Sequence, residues 1–450
     1  MNEQEQSVIR NATVYTVNSA DDVLPRANIV VRDGKIFRIC VGDVPGLTDR
    51  GTIIDATGKV VFPGFVNTHI HIFQSLLKGL GADHRLIEWL NLSALPYGER
   101  MGPDLQYAAA RLASMEAIQS GCTTLCESFY TTQDDELAHA VIRGMGESGI
   151  RSVFIRTFCD TGTDYGMPAC FMEPVSRAMK KTEDLRLRYD GISDMLRIWT
   201  GPCVTWATTK EGYIGMLEYA KSIGMPYSMH LDETDVDNKM CREHYGQDAV
   251  ALLDSVGFLG EDFLAVHCVN LTDREIEVVA ERGVCVSHNP MANMYLGSGF
   301  ARIPEMLKKG IRVAMGTDGA ASNNTTNFLE SFKMASVTQK ALHRDASVLN
   351  ARQVLRMATI EGAKAIKLDR LIGSLEEGKK ADLFIFNPHQ LTSFPMHDPL
   401  ATLAYSSTIA NIETTMIDGK IVYDKGTFAG NPDLPSLYAD TESRLRKIRL

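Results

Sequence analysis

The residues best suited to chemistry in this 450-residue chain are histidines and carboxylates at the ends of apolar runs. The first such run starts at Val60 and passes through Pro63-Gly64-Phe65-Val66-Asn67-Thr68, finishing in His69-Ile70-His71. Side chains at i and i+2 of a strand share a face, so His69 and His71 project into one space. Two imidazoles aimed at one point suggest a metal. Further on, Met229-His230-Leu231-Asp232-Glu233, His267, His288-Asn289-Pro290 and Gly316-Thr317-Asp318-Gly319 lie at or near the ends of other apolar runs. Imidazole nitrogen and carboxylate oxygen are ligands for zinc, iron(II) or manganese(II), and an ion held this way activates water.

These side chains converge only if the elements carrying them do. Residues from about Ser7 to Phe62 read as short strands joined by turns: Val8 to Val17, Ala27 to Val31, Lys35 to Val41 after the Asp33-Gly34 turn, and Gly51 to Asp55. The all-β pattern returns at Ala381 to Phe386 and Ile412 to Ile417, with Asp418-Gly419 turning into Lys420 to Tyr423. Two blocks of strands, one at each end, pair most simply into a small β-sandwich outside the central domain.

Between them strand and helix alternate. Val60 to His71, Thr123 to Glu127, Arg151 to Phe158, Leu196 to Cys203, Tyr227 to His230, Phe263 to Val269, Val284 to His288 and Arg312 to Thr317 are the apolar strand candidates. Leu105, Ala108, Leu112 and Met115 keep helical spacing, and Thr208-x-x-Glu211 and Thr272-x-x-Glu275 have the form of capping boxes closed by Gly224 and Gly283. Eight β/α units in series predict an α/β fold, a (β/α)8 TIM barrel, whose chemistry belongs at the C-terminal ends of the strands. The polar residues above obey that demand. A doubly wound open sheet is the alternative, but no Gly-x-Gly-x-x-Gly follows an early strand. The expected organisation is a sandwich from residues 1–62 and 373–430, a barrel over 63–372, and a linker with a charged helix over 431–450.

Composition narrows the partners. Hydrophobic content of 44% and charged content of 23% are those of a globular protein, and the net charge of −10 argues against a nucleic-acid partner. No uncharged apolar run is long enough to span a bilayer, and Met1 to Arg10 lacks the apolar core of a signal peptide, so a cytoplasmic location is expected. The nine cysteines include no Cys-x-x-Cys pair. That excludes the zinc deaminases built on Pro-Cys-x-x-Cys.

The segments from Pro63 to His71, His230 to Glu233, Ala265 to Cys268, His288 to Met294 and Gly316 to Asn324 together resemble the amidohydrolase superfamily. Within it they are similar to the adenosine and S-adenosylhomocysteine/methylthioadenosine deaminases and the s-triazine hydrolases. The resemblance covers nearly the whole chain, and Gly373 to Asp382 looks like the family's return to the small β domain. It implies that His69, His71, His230 and Asp318 bind one divalent ion, zinc in the first place. Relatives with two metals use a lysine at the end of strand four, and Thr200-Gly201-Pro202 offers none.

The resemblance further implies that Glu233 shuttles protons to the substrate ring and that His267 orients the attacking water and steadies developing charge. Asp318 takes that water's proton. Trp89 is expected as an aromatic wall of the substrate site or as core packing, and Arg156 as a contact to an anionic substrate group or a structural ion-pair residue. His288 and Asn289 are expected to line the pocket, or His288 to brace its loop. The expected activity is hydrolytic deamination of an aminated N-heterocycle of the adenosine type. An s-triazine amino- or chlorohydrolase is the rival, and a catalytically inactive scaffold is the reading from another class, which the retention of all five metal-site residues disfavours. A homo-oligomer is implied, with a small N-heterocyclic substrate as its partner.

Overall fold

In the computed structural model, which describes residues 6–42 and 51–449, the strands divide between two sheets. From the N-terminus come β1 (Gln6–Tyr15), β2 (Val23–Arg32), β3 (Lys35–Val41), β4 (Thr52–Asp55) and β5 (Val60–Pro63). The barrel strands follow as β6 (Phe65–Ile70), β7 (Cys122–Phe129), β8 (Arg151–Phe158), β9 (Leu196–Pro202), β10 (Tyr227–Leu231), β11 (Phe263–His267), β12 (Cys285–His288) and β13 (Val313–Met315). Last are β14 (Leu383–Phe386), β15 (Ile412–Ile417), β16 (Lys420–Asp424) and β17 (Thr427–Phe428). The terminal strands form one nine-stranded mixed sheet in the order β17-β16-β15-β14-β5-β1-β2-β3, with β4 beside β1, and β5 antiparallel to β14 joins its two halves.

Both faces of that sheet are buried at its centre, and the two-residue period assigns them. Val61, Leu383 and Ile385 join Ile9, Val14, Ile29 and Met416 in a core of the sheet's own. The alternating Phe62, Phe384 and Phe386 instead enter the large core shared with the barrel. There the Phe384 ring lies 5.5 Å from Phe62 and 4.8 Å from Phe65 between centroids. One buried ion pair also joins sheet to barrel: Arg151 Nε donates to Asp382 Oδ2 at 2.7 Å and Nη2 to Oδ1 at 2.9 Å.

The apolar run from Val60 to His71, expected as one barrel strand, is two strands in different sheets. Gly64 is the crossing point: its N–H donates to Asp382 O, while a Cβ there would lie 2.1 Å from Thr123 Oγ1. Only glycine lets the chain pass that close.

The eight barrel strands are parallel and follow chain order from β6 to β13. First and last strands meet through side chains. Thr68 Oγ1 donates to Met315 O at 2.9 Å, Asn67 Nδ2 to Thr317 Oγ1 at 2.8 Å, and the Asp318 N–H to the His69 carbonyl at 3.0 Å. Of the two expected capping boxes, Thr272 with Glu275 forms. At the other, Thr209 rather than Thr208 is the cap, accepting from the Gly212 N–H, and an unforeseen box joins Thr234 to Asp237. The C-terminal helix Leu434–Ile448 ion-pairs with the helix Pro103–Gln119 through Arg444 and Asp104, and its Leu445 and Ile448 pack on the cluster containing Trp89. No helix among the described residues is long and apolar enough to cross a membrane.

Candidate active site

Seven polar side chains meet at the C-terminal mouth of the barrel. His69 is the penultimate residue of β6 and His71 follows the strand, His230 lies near the end of β10 with Glu233 just past it, His267 ends β11, and Asp318 with Ser322 come from the segment after β13. His69 Nε2 lies 3.3 Å and His71 Nε2 3.5 Å from Asp318 Oδ1, and His71 Nε2 lies 3.1 Å from His230 Nε2. Ligand atoms of His69, His71 and His230, and of His69, His267 and Asp318, lie within 4.8 Å of one another in each group.

The backbone around the cluster sets the tautomers. His71 Nδ1 donates to Ser128 O at 2.7 Å and His230 Nδ1 donates to Cys203 O at 2.6 Å. Each therefore turns an unprotonated Nε2 inward, and two such lone pairs at 3.1 Å have no hydrogen bond to share. Both nitrogens of His69 and Oδ1 of Asp318 are buried without any partner. Orphaned, converging nitrogen and oxygen lone pairs of this kind fit a divalent cation.

The charge states agree. Burial, then the neighbouring His69, pushes His71 down to about 4, and burial with the surrounding histidines holds His230 well below its ordinary value. Burial alone would raise Asp318, but the ring of imidazoles around it, His69 first, outweighs that and holds its carboxyl well below the usual carboxylate range. Neutral imidazoles and an ionised carboxyl are the forms that ligate.

His267 differs from the other three. Its Nδ1 accepts from Asn293 Nδ2 at 2.9 Å, so its proton sits on Nε2, which faces Glu233 Oε2 at 3.5 Å. His267 is thus arranged as a donor beside the cluster. Strand alternation would send it outward with Phe263 and Ala265, which pack in the helix-facing core. Its left-handed backbone, φ 76°, accompanies its turn into the mouth. Asp232 and Asp318 are also left-handed, and such strain collects at functional sites.

Glu233 is buried, takes a hydrogen bond from Ser298 Oγ at 3.2 Å, and is raised well above the usual carboxylate range by burial and then by Asp318 and Asp237. A carboxyl group held protonated beside neutral histidines can give a proton to a ring nitrogen.

A cavity opens over these groups. His71, His230, Glu233, His267 and Asp318 line one part of it, Leu86, Trp89, Leu90, Leu95, Met167, Val204 and Trp206 line most of the rest, and Gln74, Tyr130, Cys203 and Asp237 complete it. Trp89 is a fixed wall, its indole N–H donating to Ala321 O at 3.2 Å.

Three residues expected at the substrate do not line the cavity. Arg156 follows Phe154 and precedes Phe158 on the helix-facing side of β8, where Nη2 pairs with Glu173 Oε1 at 2.5 Å. Its structural alternative is the one realised. His288 shares the outward parity of Val286 and is buried with neither ring nitrogen hydrogen-bonded. Asn289 lies over Gly316, where a Cβ would meet its Oδ1 at 2.3 Å, and donates to Ser287 O.

Other contributors carried no role in the sequence reading. Ser322 Oγ donates to Asp318 Oδ2 at 2.8 Å, Asn293 holds His267, and Gln74 Nε2 donates to Tyr130 Oη at 3.1 Å on the cavity wall. Asn293 and Ser322 lie inside segments whose residue types suggested the site, but spacing alone does not say which amide or hydroxyl faces a ligand.

Residues 60–422 match the amidohydrolase family, and the chain belongs to it. It is a hydrolase acting on C–N bonds, a deaminase. It is 34% identical over 93% of its length to a 5′-deoxyadenosine deaminase of Methanosarcina acetivorans, covering 92% of that protein. It is 32% identical over 93% of its length to a 5-methylthioadenosine/S-adenosylhomocysteine deaminase of Acetivibrio thermocellus, covering 94% of it. Among solved structures, an adenosine deaminase of Xanthomonas campestris with bound zinc superimposes with a TM-score of 0.91 at 26% identity, covering 98% of each chain. Atrazine chlorohydrolase of Arthrobacter aurescens complexed with zinc does so at 0.89 and 25%, covering 97% of this chain and 99% of that one.

Proposed function

We propose that this site removes the exocyclic amine of an adenosine-type nucleoside by hydrolysis, with one divalent ion, zinc, held by His69, His71, His230 and Asp318. The observation carrying this reading is the placement of Glu233 and the donor His267, 3.5 Å apart, beside four converging ligand residues in a cavity with aromatic walls. Such an ion supplies Lewis acidity and makes water nucleophilic at neutral pH. The chain's own residues do the rest. Asp318, kept ionised and oriented by Ser322, takes the proton of the attacking water. Glu233 protonates the ring nitrogen, so that electron density leaves the ring carbon under attack; it then recovers a proton from the hydroxyl group of the adduct as the carbonyl forms and delivers it to the departing amine, and the water proton held by Asp318 restores Glu233 at the end of the cycle. His267 Nε2–H points at the oxygen on which charge develops. The aromatic walls hold the ring and exclude bulk water.

Ammonia release from adenosine, 5′-deoxyadenosine, methylthioadenosine and S-adenosylhomocysteine by the zinc-loaded protein tests this. Turnover of at least one is expected, and silence on all four rejects the nucleoside. Glu233→Gln should keep its metal, measured by mass spectrometry, and lose about 100-fold or more in kcat. Retained turnover in that variant removes Glu233 from the mechanism. The apolar cavity walls favour a second reading, hydrolysis of a substituted s-triazine, read from amine and chloride release. A cytoplasmic homo-oligomer belongs to the same proposal, and light scattering of the purified protein tests the assembly.

A further inference from the structure

The cavity lining also says which substituent the ring bears. Away from the histidine cluster the walls are Leu86, Leu90, Leu95, Met167 and Val204, with two indoles. The Trp89 indole N–H is already given to Ala321 O, and Trp206 stands beside Asp237 on the cavity wall. Asp237 in turn accepts from the Thr234 N–H at 2.7 Å as the helix cap. Gln74 and Tyr130 are the remaining polar pair and bond each other at 3.1 Å. No lysine or arginine among the described residues lines the cavity, and Arg85, next to Leu86, is exposed and outside it.

A zwitterionic amino-acid tail would have to leave water for this largely apolar space, where no lysine or arginine meets its carboxylate. A thioether, a methyl group or a short alkyl chain would gain contact with leucine, methionine and indole surfaces at no such cost.

We propose, on the deaminase reading above, that the site takes an aminated ring carrying a short, uncharged, apolar substituent and discriminates against the same ring with an ionised amino-acid tail. Methylthioadenosine and S-adenosylhomocysteine form the matched pair, since both are thioether nucleosides and only the second bears an α-amino acid. With zinc-loaded protein, kcat/KM for methylthioadenosine exceeds that for S-adenosylhomocysteine by about tenfold or more, a threshold of about 1.4 kcal/mol. The dissociation constants of the zinc-loaded Glu233→Gln protein, measured by calorimetry, separate in the same sense. A ratio below tenfold in turnover, or an equal Kd for the two, overturns the inference.

If no purine is turned over or bound, the nucleoside reading falls. The selectivity is then read from an N-ethylamino- and an N-carboxymethylamino-s-triazine, by turnover and Kd against the same threshold. If neither the neutral triazine nor methylthioadenosine binds, the inference falls too.

Discussion

Asn293 provides the sharpest test of how the site is wired, because its effect passes through a single proton. Its Nδ2 donates to His267 Nδ1 at 2.9 Å, and both side chains are 1% exposed. Burial pushes His267 down to about 3, so the ring is neutral near pH 7 and its one proton is assigned by this bond. Asn293→Ala leaves a buried acceptor unmet and frees the ring to adopt the other tautomer, in which Nε2 no longer donates toward Glu233. A lost buried partner costs about 1–3 kcal/mol. If that loss falls on the transition state, kcat drops about 5- to 150-fold while KM moves less than about threefold. Asn293→Asp should fall at least as far, since a carboxylate accepts from Nδ1–H and enforces the wrong tautomer. Kinetics of both variants at matched zinc content, with histidine side-chain nitrogen NMR to read the tautomer, carry the test. An alanine variant within twofold of the parent, or an aspartate variant more active than alanine, refutes the donor assignment of His267.

Ser322→Ala removes the 2.8 Å hydrogen bond to Asp318 Oδ2 and should weaken metal affinity about 10- to 100-fold in chelator competition. Asp382→Ala strands Arg151 in the interface between sheet and barrel and should lower unfolding free energy by about 3–5 kcal/mol; a loss under about 1 kcal/mol in denaturant titration contradicts that. His288 is pushed down to about 3 by burial, so between its unfolded value near 6.5 and about 3 only the unfolded chain takes its proton, and stability falls as pH falls. Relative to His288→Gln, the parent should lose about 2 kcal/mol between pH 7 and pH 5. A pH-independent difference between the two proteins places His288 in a wetter environment than this.

The strand-end histidines were legible because each interrupts an apolar run, and eight such runs in series fix the barrel's order. Two errors trace to one physical cause. Strands of a parallel barrel are buried on both faces, so alternation of polar and apolar residues does not mark which side is inward. Val153 and Ile155 enter the barrel interior and Phe154 and Phe158 the helix layer, and all four are apolar. Nothing in the sequence of β8 therefore says that Arg156 turns away from the mouth. The same ambiguity hid the crossing at Gly64, because Val60 to Phe62 and Phe65 to Val66 read as one hydrophobic run although they bury against different sheets. Resemblance places His267 at the site, and its Nε2 lies 3.5 Å from Glu233 Oε2 at the mouth, whereas strand parity taken alone turns it outward.

The position of the cluster links chemistry to the architecture of the barrel. His69 and Asp318 belong to opposite ends of the eight-stranded order, β6 and the segment after β13. No backbone ladder joins those two strands, and the seam is carried instead by Thr68, Asn67 and the backbone bond from Asp318 to His69. The same peptide groups that close the barrel thus set the separation of two candidate ligand side chains, 3.3 Å from His69 Nε2 to Asp318 Oδ1. Asn67 is the hub: its Nδ2 donates to Thr317 Oγ1 while its Oδ1 accepts from the Thr317 N–H at 3.1 Å, gripping the residue before Asp318 from both sides. A side chain without both an amide donor and an acceptor at position 67 would release Thr317, and Asp318 with it. The asparagine two residues before His69 is therefore a structural part of the candidate metal site, acting through the backbone that carries Asp318.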